Sequence, residues 1–503
     1  MKRFALLSLL MCAASLWVAA RDFASGADVS WATEMEADGC KFRTADGVET
    51  DIFALMKQTG MSAVRLRVWV NPTASGYRAW CDKADVLVKA RRAHAAGLDL
   101  MIDFHYSDIF ADPGRQDTPA DWQGFTMQQV CDAIATHTSD VLTALKDCGI
   151  SPRWVQVGNE TNSGMVMDYG KIDWDKTGAA RFANYATLSN AGYDAVKAVF
   201  PDAKVIVHLA GAQAPQWFFP DFKKAGGKFD IIGISHYPTE DEWESSVASH
   251  NFSNVNAEKY VKQAIASFDV PVMICETGFN VWKPALAQRV MIDLFNRMKA
   301  IDRCEGIFYW EPQVDGVWKP AYYSSVGWGA YSLGAFTTDG RPTKALDAFG
   351  GKTQPDDVFP ASLSIMSTDG TTLLATLLPV AGSAGVYSAK LCADEPWLNF
   401  LIADTENNTW YGSDPADKTL LSSAAGHWNL WIDSETTGTY DITVDLNTMH
   451  WSHSFSSAVS IVTADQSQSP ALLYDLTGRR VHHPVRGNIY IVHKAATSGL
   501  IQY

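Results

Sequence analysis

Trp154-Val155-Gln156-Val157-Gly158-Asn159-Glu160 is a short apolar run that closes on an amide and a carboxyl group. A carboxyl placed after a buried strand is costly unless the site uses it. The same form returns at Val272-Met273-Ile274-Cys275-Glu276. Working outward from these two, short apolar runs alternate with longer amphipathic segments from about residue 26 to residue 350. The pattern predicts eight strands, Gly26–Trp31, Ala63–Val70, Asp99–His105, Trp154–Glu160, Lys204–Leu209, Asp230–Tyr237, Val270–Thr277 and Gly306–Trp310. Helical periodicity lies between them. Over Met127–Cys148, for example, Val130, Ile134, Val141, Leu142 and Leu145 share one face and Gly149 supplies the stop. Eight such units predict an α/β fold, a (β/α)8 TIM barrel over residues 21–350, with its active site at the C-terminal ends of the strands.

Polar residues close those strands: Arg67, His105, Asn159-Glu160, His208, His236-Tyr237 and Glu276, with Trp310 ending the eighth. Their agreement in position points to one shared mouth. Two carboxyl groups facing each other across such a mouth are what hydrolysis of a glycosidic bond requires.

Composition is compatible with this. The chain has 503 residues, 47% apolar and 19% charged, enough for a large barrel and an appendage. Its formal charge of −15 argues against nucleic acid and anionic membranes, and a neutral polysaccharide is the expected partner of what is expected to be a monomer. Eighteen Trp suit both a large core and the stacking of sugar rings. Met1-Lys2-Arg3, the apolar run Phe4–Ala20 and the small residues Val18-Ala19-Ala20 read as a signal peptide over residues 1–20, so the protein is expected to be secreted, to periplasm, cell surface or medium. No second long apolar stretch follows, and no transmembrane segment is expected. Leu9-Leu10-Met11-Cys12 matches a lipoprotein box only loosely. Of eight cysteines, seven remain after Cys12, without a Cys-x-x-Cys pair, which disfavours a zinc site and leaves at least one thiol unpaired in a monomer.

Six segments, in order, resemble one family: Gly26-Ala27-Asp28-Val29-Ser30-Trp31, Arg65–Pro72, Ile102–Asp108, Val155–Glu160, Glu276-Thr277-Gly278 and Phe308-Tyr309-Trp310-Glu311-Pro312. They are similar to the arabinogalactan endo-β-1,4-galactanases of glycoside hydrolase family 53. The resemblance implies cleavage of β-1,4-galactan, the side chain of pectin, with retention of configuration. It implies Glu160 as acid/base and Glu276 as nucleophile, Asn159 on the sugar 2-hydroxyl, and Tyr237 with Arg67 holding the nucleophile as an anion. Arg65 has the same strand parity as Arg67 and is the alternative. His105 and Asp108 are expected to line the subsite of the cleaved galactose. Trp310 is expected at its floor, with Trp69 and His236 also counted as substrate-binding and ordinary core packing open for both tryptophans. Ile109-Phe110 and His236 depart from the family's usual residues. No cofactor is expected, and calcium is not either: in the loops after strands seven and eight only Asn280 and Asp315 offer oxygen, too few for a cage. The alternatives are another endo-glycanase of the same clan, such as a mannanase or cellulase, or a glycan-binding protein on a decayed barrel.

After Gly350-Gly351 the pattern changes to alternating strands with Ser, Thr, Gly and Asp turns, which predicts a smaller β-sandwich over residues 351–465. Trp397, Trp410, Tyr411, Trp428, Trp431 and Trp451 suit either a carbohydrate-binding face or a sandwich core. Residues 466–503 form a short β-rich tail that resembles sorting tails of exported proteins.

Overall fold

The computed structural model describes residues 23–356, 359–383, 385–405, 409–423, 426–446 and 448–456, with strand residues 472–474, 480–481, 489–494 and 497–502. The signal peptide read at residues 1–20 lies outside them, as does most of the tail. Among the described residues no helix is long and apolar enough to cross a membrane.

Eight parallel strands close a barrel: β1 (Ala24–Asp28), β2 (Ala63–Val68), β3 (Asp99–Phe104), β4 (Trp154–Val157), β5 (Lys204–Ala210), β6 (Ile231–Ser235), β7 (Val272–Thr277) and β8 (Cys304–Trp310). They pair in the order β1-β8-β7-β6-β5-β4-β3-β2, each beside its neighbour in sequence, with β8 returning to β1. The expected (β/α)8 barrel is therefore the fold. Several strands stop earlier than the apolar runs suggest. Beyond β1, Asp28 Oδ1 accepts from the N–H and hydroxyl of Ser30 and curls the chain, so the strand is Ala24–Asp28 where Gly26–Trp31 was expected. Beyond β4 the chain turns through Gly158 at φ 82° and Glu160 at φ 43°, which carries the catalytic candidate off the strand and over the mouth. The helix Met127–Asp147 buries the expected face and opens with a capping box between Thr126 and Gln129.

The barrel interior is layered. Ala24, Ala63, Met101, Trp154, Ile206, Ile231, Met273, Cys275 and Phe308 form one apolar cluster across it. Gly26 is required there, because a Cβ would meet the Phe308 ring at 2.4 Å. Two residues further along each strand, period-two alternation turns Arg65, Asp103, Gln156 and His208 inward, and these groups are polar and fully buried. Strand β7 breaks the alternation. Its pairing with β6 runs Ile234–Ile274 and then Ser235–Glu276, an extra residue that forms a β-bulge. The bulge lets Glu276 face the same space as Cys275.

The chain divides after Asp356. Lys352 through Asp356 belong with the barrel, since the Asp356 N–H donates to Gln288 (2.9 Å) and Asn296 to the Thr353 carbonyl (2.9 Å). The second unit is all β: β9 (Leu363–Met366), β10 (Leu373–Pro379), β11 (Val386–Ala393), β12 (Asn399–Asp404), β13 (Thr409–Ser413), β14 (Leu421–Ser422), β15 (Leu430–Trp431), β16 (Gly438–Asp445) and β17 (His450–Phe455). They follow the path β14-β13-β12-β9-β10-β11-β16-β17, with β15 on β12. Ile365, Leu377, Phe400 and Ile402 from its first half share one core with Tyr387, Leu391, Ile442 and Val444 from its second.

Every catalytic candidate lies in the barrel unit, which has its own core. A chain ending at Asp356 is expected to fold and to keep turnover of soluble oligosaccharides within about twofold. Circular dichroism melts and initial rates on such a substrate check this.

Candidate active site

Arg65 stands at the centre of the mouth, fully buried. Its guanidinium reaches Asp28 (2.8 Å), Asp103 (2.8 Å) and Glu276 (2.9 Å), and donates to Asn159 Oδ1 (2.7 Å) and Gln156 Oε1 (3.3 Å). The groups come from β1, β2, β3, β4 and β7, so this fork fixes the relative height of five strands. Burial opposes ionisation of Asp103, but Arg65 and then His105 outweigh it and hold its carboxyl below the usual range. His105 accepts the Ala111 N–H on Nδ1 (2.9 Å), so its proton sits on Nε2 and is donated to Asp103 (3.0 Å).

Glu160 and Glu276 line one cleft of about 180 Å³ with Asn159, Tyr237, Trp310 and Tyr323. Their surroundings differ. Glu276 has Arg65 on Oε1 and the Tyr237 hydroxyl on Oε2 (2.9 Å), two donors that stabilise its anion. Glu160 has the Ser235 hydroxyl on Oε1 (2.5 Å) and, among the described residues, no cation in ion-pairing contact. Burial, and then the charge of Glu276, push the Glu160 carboxyl well above the usual range. Glu276 is also raised by burial, with Arg65 opposing and Asp103 and Asp28 adding to the rise. When one proton remains on the pair, it resides on Glu160. The site thus holds a carboxylic acid and a carboxylate side by side, the arrangement acid-assisted displacement at an acetal carbon needs.

A family model described as glycosyl hydrolase family 53 matches residues 24–349. The chain belongs to that family. Over 268 residues it is 32% identical to the arabinogalactan endo-β-1,4-galactanase of Cellvibrio japonicus, covering 51% of this chain and 66% of that one. The family-53 catalytic domain of Ignisphaera aggregans superposes with a TM-score of 0.56 at 26% identity, over 65% of this chain and 95% of that domain. A fungal β-1,4-galactanase structure gives the same TM-score of 0.56 at 24% identity, over 65% and 98% of the two chains, which supports the fold. Residues 361–455 match a second model, a domain of unknown function.

Within this family-53 barrel the structure redistributes several expected roles. Arg65, and not Arg67, holds Glu276. Arg67 lies one pleat higher, where it pairs with Glu311 (2.5 Å) and sits over the rings of Phe110 (4.7 Å), Trp31 (5.1 Å) and Trp69 (5.6 Å). Trp69 is buried behind Phe110 and does not reach the cleft. Asp108 is spent on loop structure, accepting from the N–H groups of Asn71 (2.9 Å) and Ala120 (2.8 Å) and from the Ser75 hydroxyl (2.9 Å). His236 is buried against Asn254 (3.0 Å) in place of the cleft, and burial lowers its pKa to about 4. His105, Asn159, Tyr237 and Trp310 do line the cleft. Trp310 stands at right angles to Tyr331, ring centroids 4.6 Å apart.

Other cleft residues carried little sequence signal. Phe110, Ala111 and Asp112 follow β3, while after β8 Tyr323 comes from the short helix Ala321–Ser325 and Trp328 from the turn beyond it. In the sequence His208 stands out only as a polar strand end, and Ser235 does not stand out at all. His208 Nε2 meets the Ser235 hydroxyl (2.9 Å), which in turn serves Glu160. Asn280 donates to Glu240 (2.8 Å), and Asp315 accepts from the N–H groups of Val317 (2.8 Å) and Trp318 (2.9 Å). Among the described residues no group of three or more His, Cys, Asp or Glu is placed to hold a metal ion.

Three outcomes follow. Ser235→Ala removes a hydrogen bond to the Glu160 anion, which raises that carboxyl further. With Glu160 in the acid role the sequence leads one to expect, the alkaline limb of the kcat/KM profile is expected to move to higher pH, read from initial rates across pH. Arg65→Lys keeps a charge but loses the fork, and is expected to lower kcat by about two orders of magnitude. Arg67→Lys, away from Glu276, should lower Tm with a much smaller effect on kcat.

Proposed function

We propose that this family-53 protein is a secreted, endo-acting, retaining β-1,4-galactanase that cuts the galactan side chains of pectin. The observation that carries the mechanism is the unequal surroundings of the two glutamates. The choice of polymer is supported by family membership and by the galactanase named in Cellvibrio japonicus. Secretion is supported by the signal-peptide pattern at residues 1–20.

In the proposed reaction Glu276 attacks the anomeric carbon while Glu160 passes its proton to the glycosidic oxygen. The carbon–oxygen bond breaks, the leaving chain departs with that proton, and a glycosyl ester forms on Glu276. A water then enters from the vacated side. Glu160, now a carboxylate, takes its proton as the hydroxyl joins the anomeric carbon and Glu276 is released. Two inversions restore the β configuration. Arg65 and Tyr237 hold Glu276 ready and receive it again as the leaving carboxylate. Asn159 is positioned by Arg65 and by its donation to the Ala111 carbonyl (2.8 Å), which fixes the amide that meets the sugar 2-hydroxyl. Trp310 receives the apolar face of the ring. Side chains alone perform the chemistry, with no metal or organic cofactor.

The test is reducing-end release from potato galactan against mannan and cellulose. Turnover of galactan is expected, and activity confined to another polymer would sink the substrate assignment. Glu276→Gln is expected to lower kcat by about four orders of magnitude or more with Tm little changed, because an amide cannot form the ester. Proton NMR in the first minutes should show the β-anomer of the new reducing end; an initial α-anomer contradicts the double displacement.

A further inference from the structure

The second unit contains a cleft of its own, about 210 Å³, that the catalytic reading does not use. It lies where β15, β17 and the turn before β14 meet. Trp431 forms one wall, half-buried. Trp451 forms the floor: its Nε1 donates to the Lys418 carbonyl (2.8 Å) and its ring meets Phe400 edge-on at 5.5 Å, which locks the indole in place. His453 lies beside it, ring centroids 5.5 Å apart, and accepts the Asp433 N–H on Nε2 (3.4 Å). At the rim Lys418 and Asp433 form an ion pair, with the ammonium 5.9 Å from the Trp431 ring. The hydroxyl-bearing residues Thr419 and Ser452 complete the lining.

This lining has a definite chemistry. A rigid aromatic floor and an aromatic wall ask for a flat apolar face. Charged donors and acceptors at the edge ask for several hydroxyl groups. Lys418 and Asp433 cancel in charge, so neither a polyanion nor a cation is favoured. A neutral pyranose meets all three conditions. In β-galactose the face opposite the axial 4-hydroxyl presents the C–H groups of carbons 3, 4 and 5, while its edge carries the hydroxyls. Aromatics that serve only as core would be enclosed, as Tyr387 and Phe400 are. Trp431 instead faces an open cleft.

We propose that this cleft binds a segment of β-1,4-galactan and holds the polymer near the barrel. The choice of galactan rests on the function proposed above, because a tethered site gains most when it binds the polymer its partner unit cuts. Trp431 stacks on one galactose ring, Lys418 and Asp433 bridge its hydroxyls, and the buried Trp451 braces the floor beneath.

The experiment uses the full chain. With Glu276→Gln to prevent cutting, migration through native gels containing potato galactan is compared with migration through plain gels. Adding Trp431→Ala, or separately Asp433→Ala, is expected to weaken the apparent affinity by about tenfold. Trp428→Ala, an exposed tryptophan outside the cleft, should leave it unchanged. With Glu276 intact, Trp431→Ala should hydrolyse soluble galactotetraose at the parent rate and insoluble galactan more slowly. Galactan retardation that survives both cleft substitutions overturns the proposal. A parent that cuts no galactan overturns the reading of the barrel alone; loss of galactan retardation on Trp431→Ala would still support the cleft.

Discussion

One guanidinium carries three carboxylates at the centre of the barrel. Arg65 is fully buried, and Asp28, Asp103 and Glu276 all lie within 2.9 Å of it. Removing such a cation would strand uncompensated charge, a loss of about 3–5 kcal/mol. The imbalance also has a chemical use. Because Asp28 and Asp103 share the cation, Glu276 receives enough stabilisation to ionise before Glu160, while burial and these neighbouring charges keep its carboxyl raised. A carboxylate paired with a dedicated arginine would be a weaker nucleophile. The same fork holds Asn159, so Glu276 and Asn159 take their positions from a single side chain, while Glu160 is held by Ser235.

Above this layer Arg67 does a different job with the same chemistry. Its guanidinium is boxed by Trp31, Trp69 and Phe110 and paired to Glu311, whose carboxylate also accepts the Trp31 N–H (3.1 Å) and a bond from Gln313 (2.6 Å). This ties the ends of β1, β2 and β8 to the aromatic wall on which Trp310 leans, ring centroids 5.1 Å from Trp31. For the proposed stacking of a sugar ring on Trp310, a platform that must not yield, the stiffness is supplied from behind.

The sequence shows most of this and hides some of it for identifiable reasons. Polar residues closing apolar strands mark the mouth, since burying them at random is too costly; the eight strands and both glutamates are legible on that ground. Arg65 and Arg67 are not separable by period, because both point inward and only the depth of the closed barrel decides which meets Glu276. Asp108 and His236 sit beside the mouth in sequence, yet their polar atoms are satisfied by Asn71, Ala120 and Asn254, partners that no local pattern reveals. Tyr323 sits on a helix of only five residues, Ala321–Ser325, and Trp328 in the turn after it, too short for any periodicity to show. In the second unit, alternation indicates strands, but which tryptophans enclose the core and which face a cleft depends on pairings such as β12 with β15.

The bulge in β7 has a consequence for grafting. Met273 and Cys275 point into the apolar layer, and a regular strand would then send the next residue outward to the helices. Glu276 escapes that fate through one extra residue. A chimera that borrows this strand from another eight-stranded enzyme must import the irregularity with it, crossover points included. A graft matched residue for residue to a regular strand would keep every side chain and still aim Glu276 at the wrong side of the wall. For this carboxylate, register counts for as much as identity.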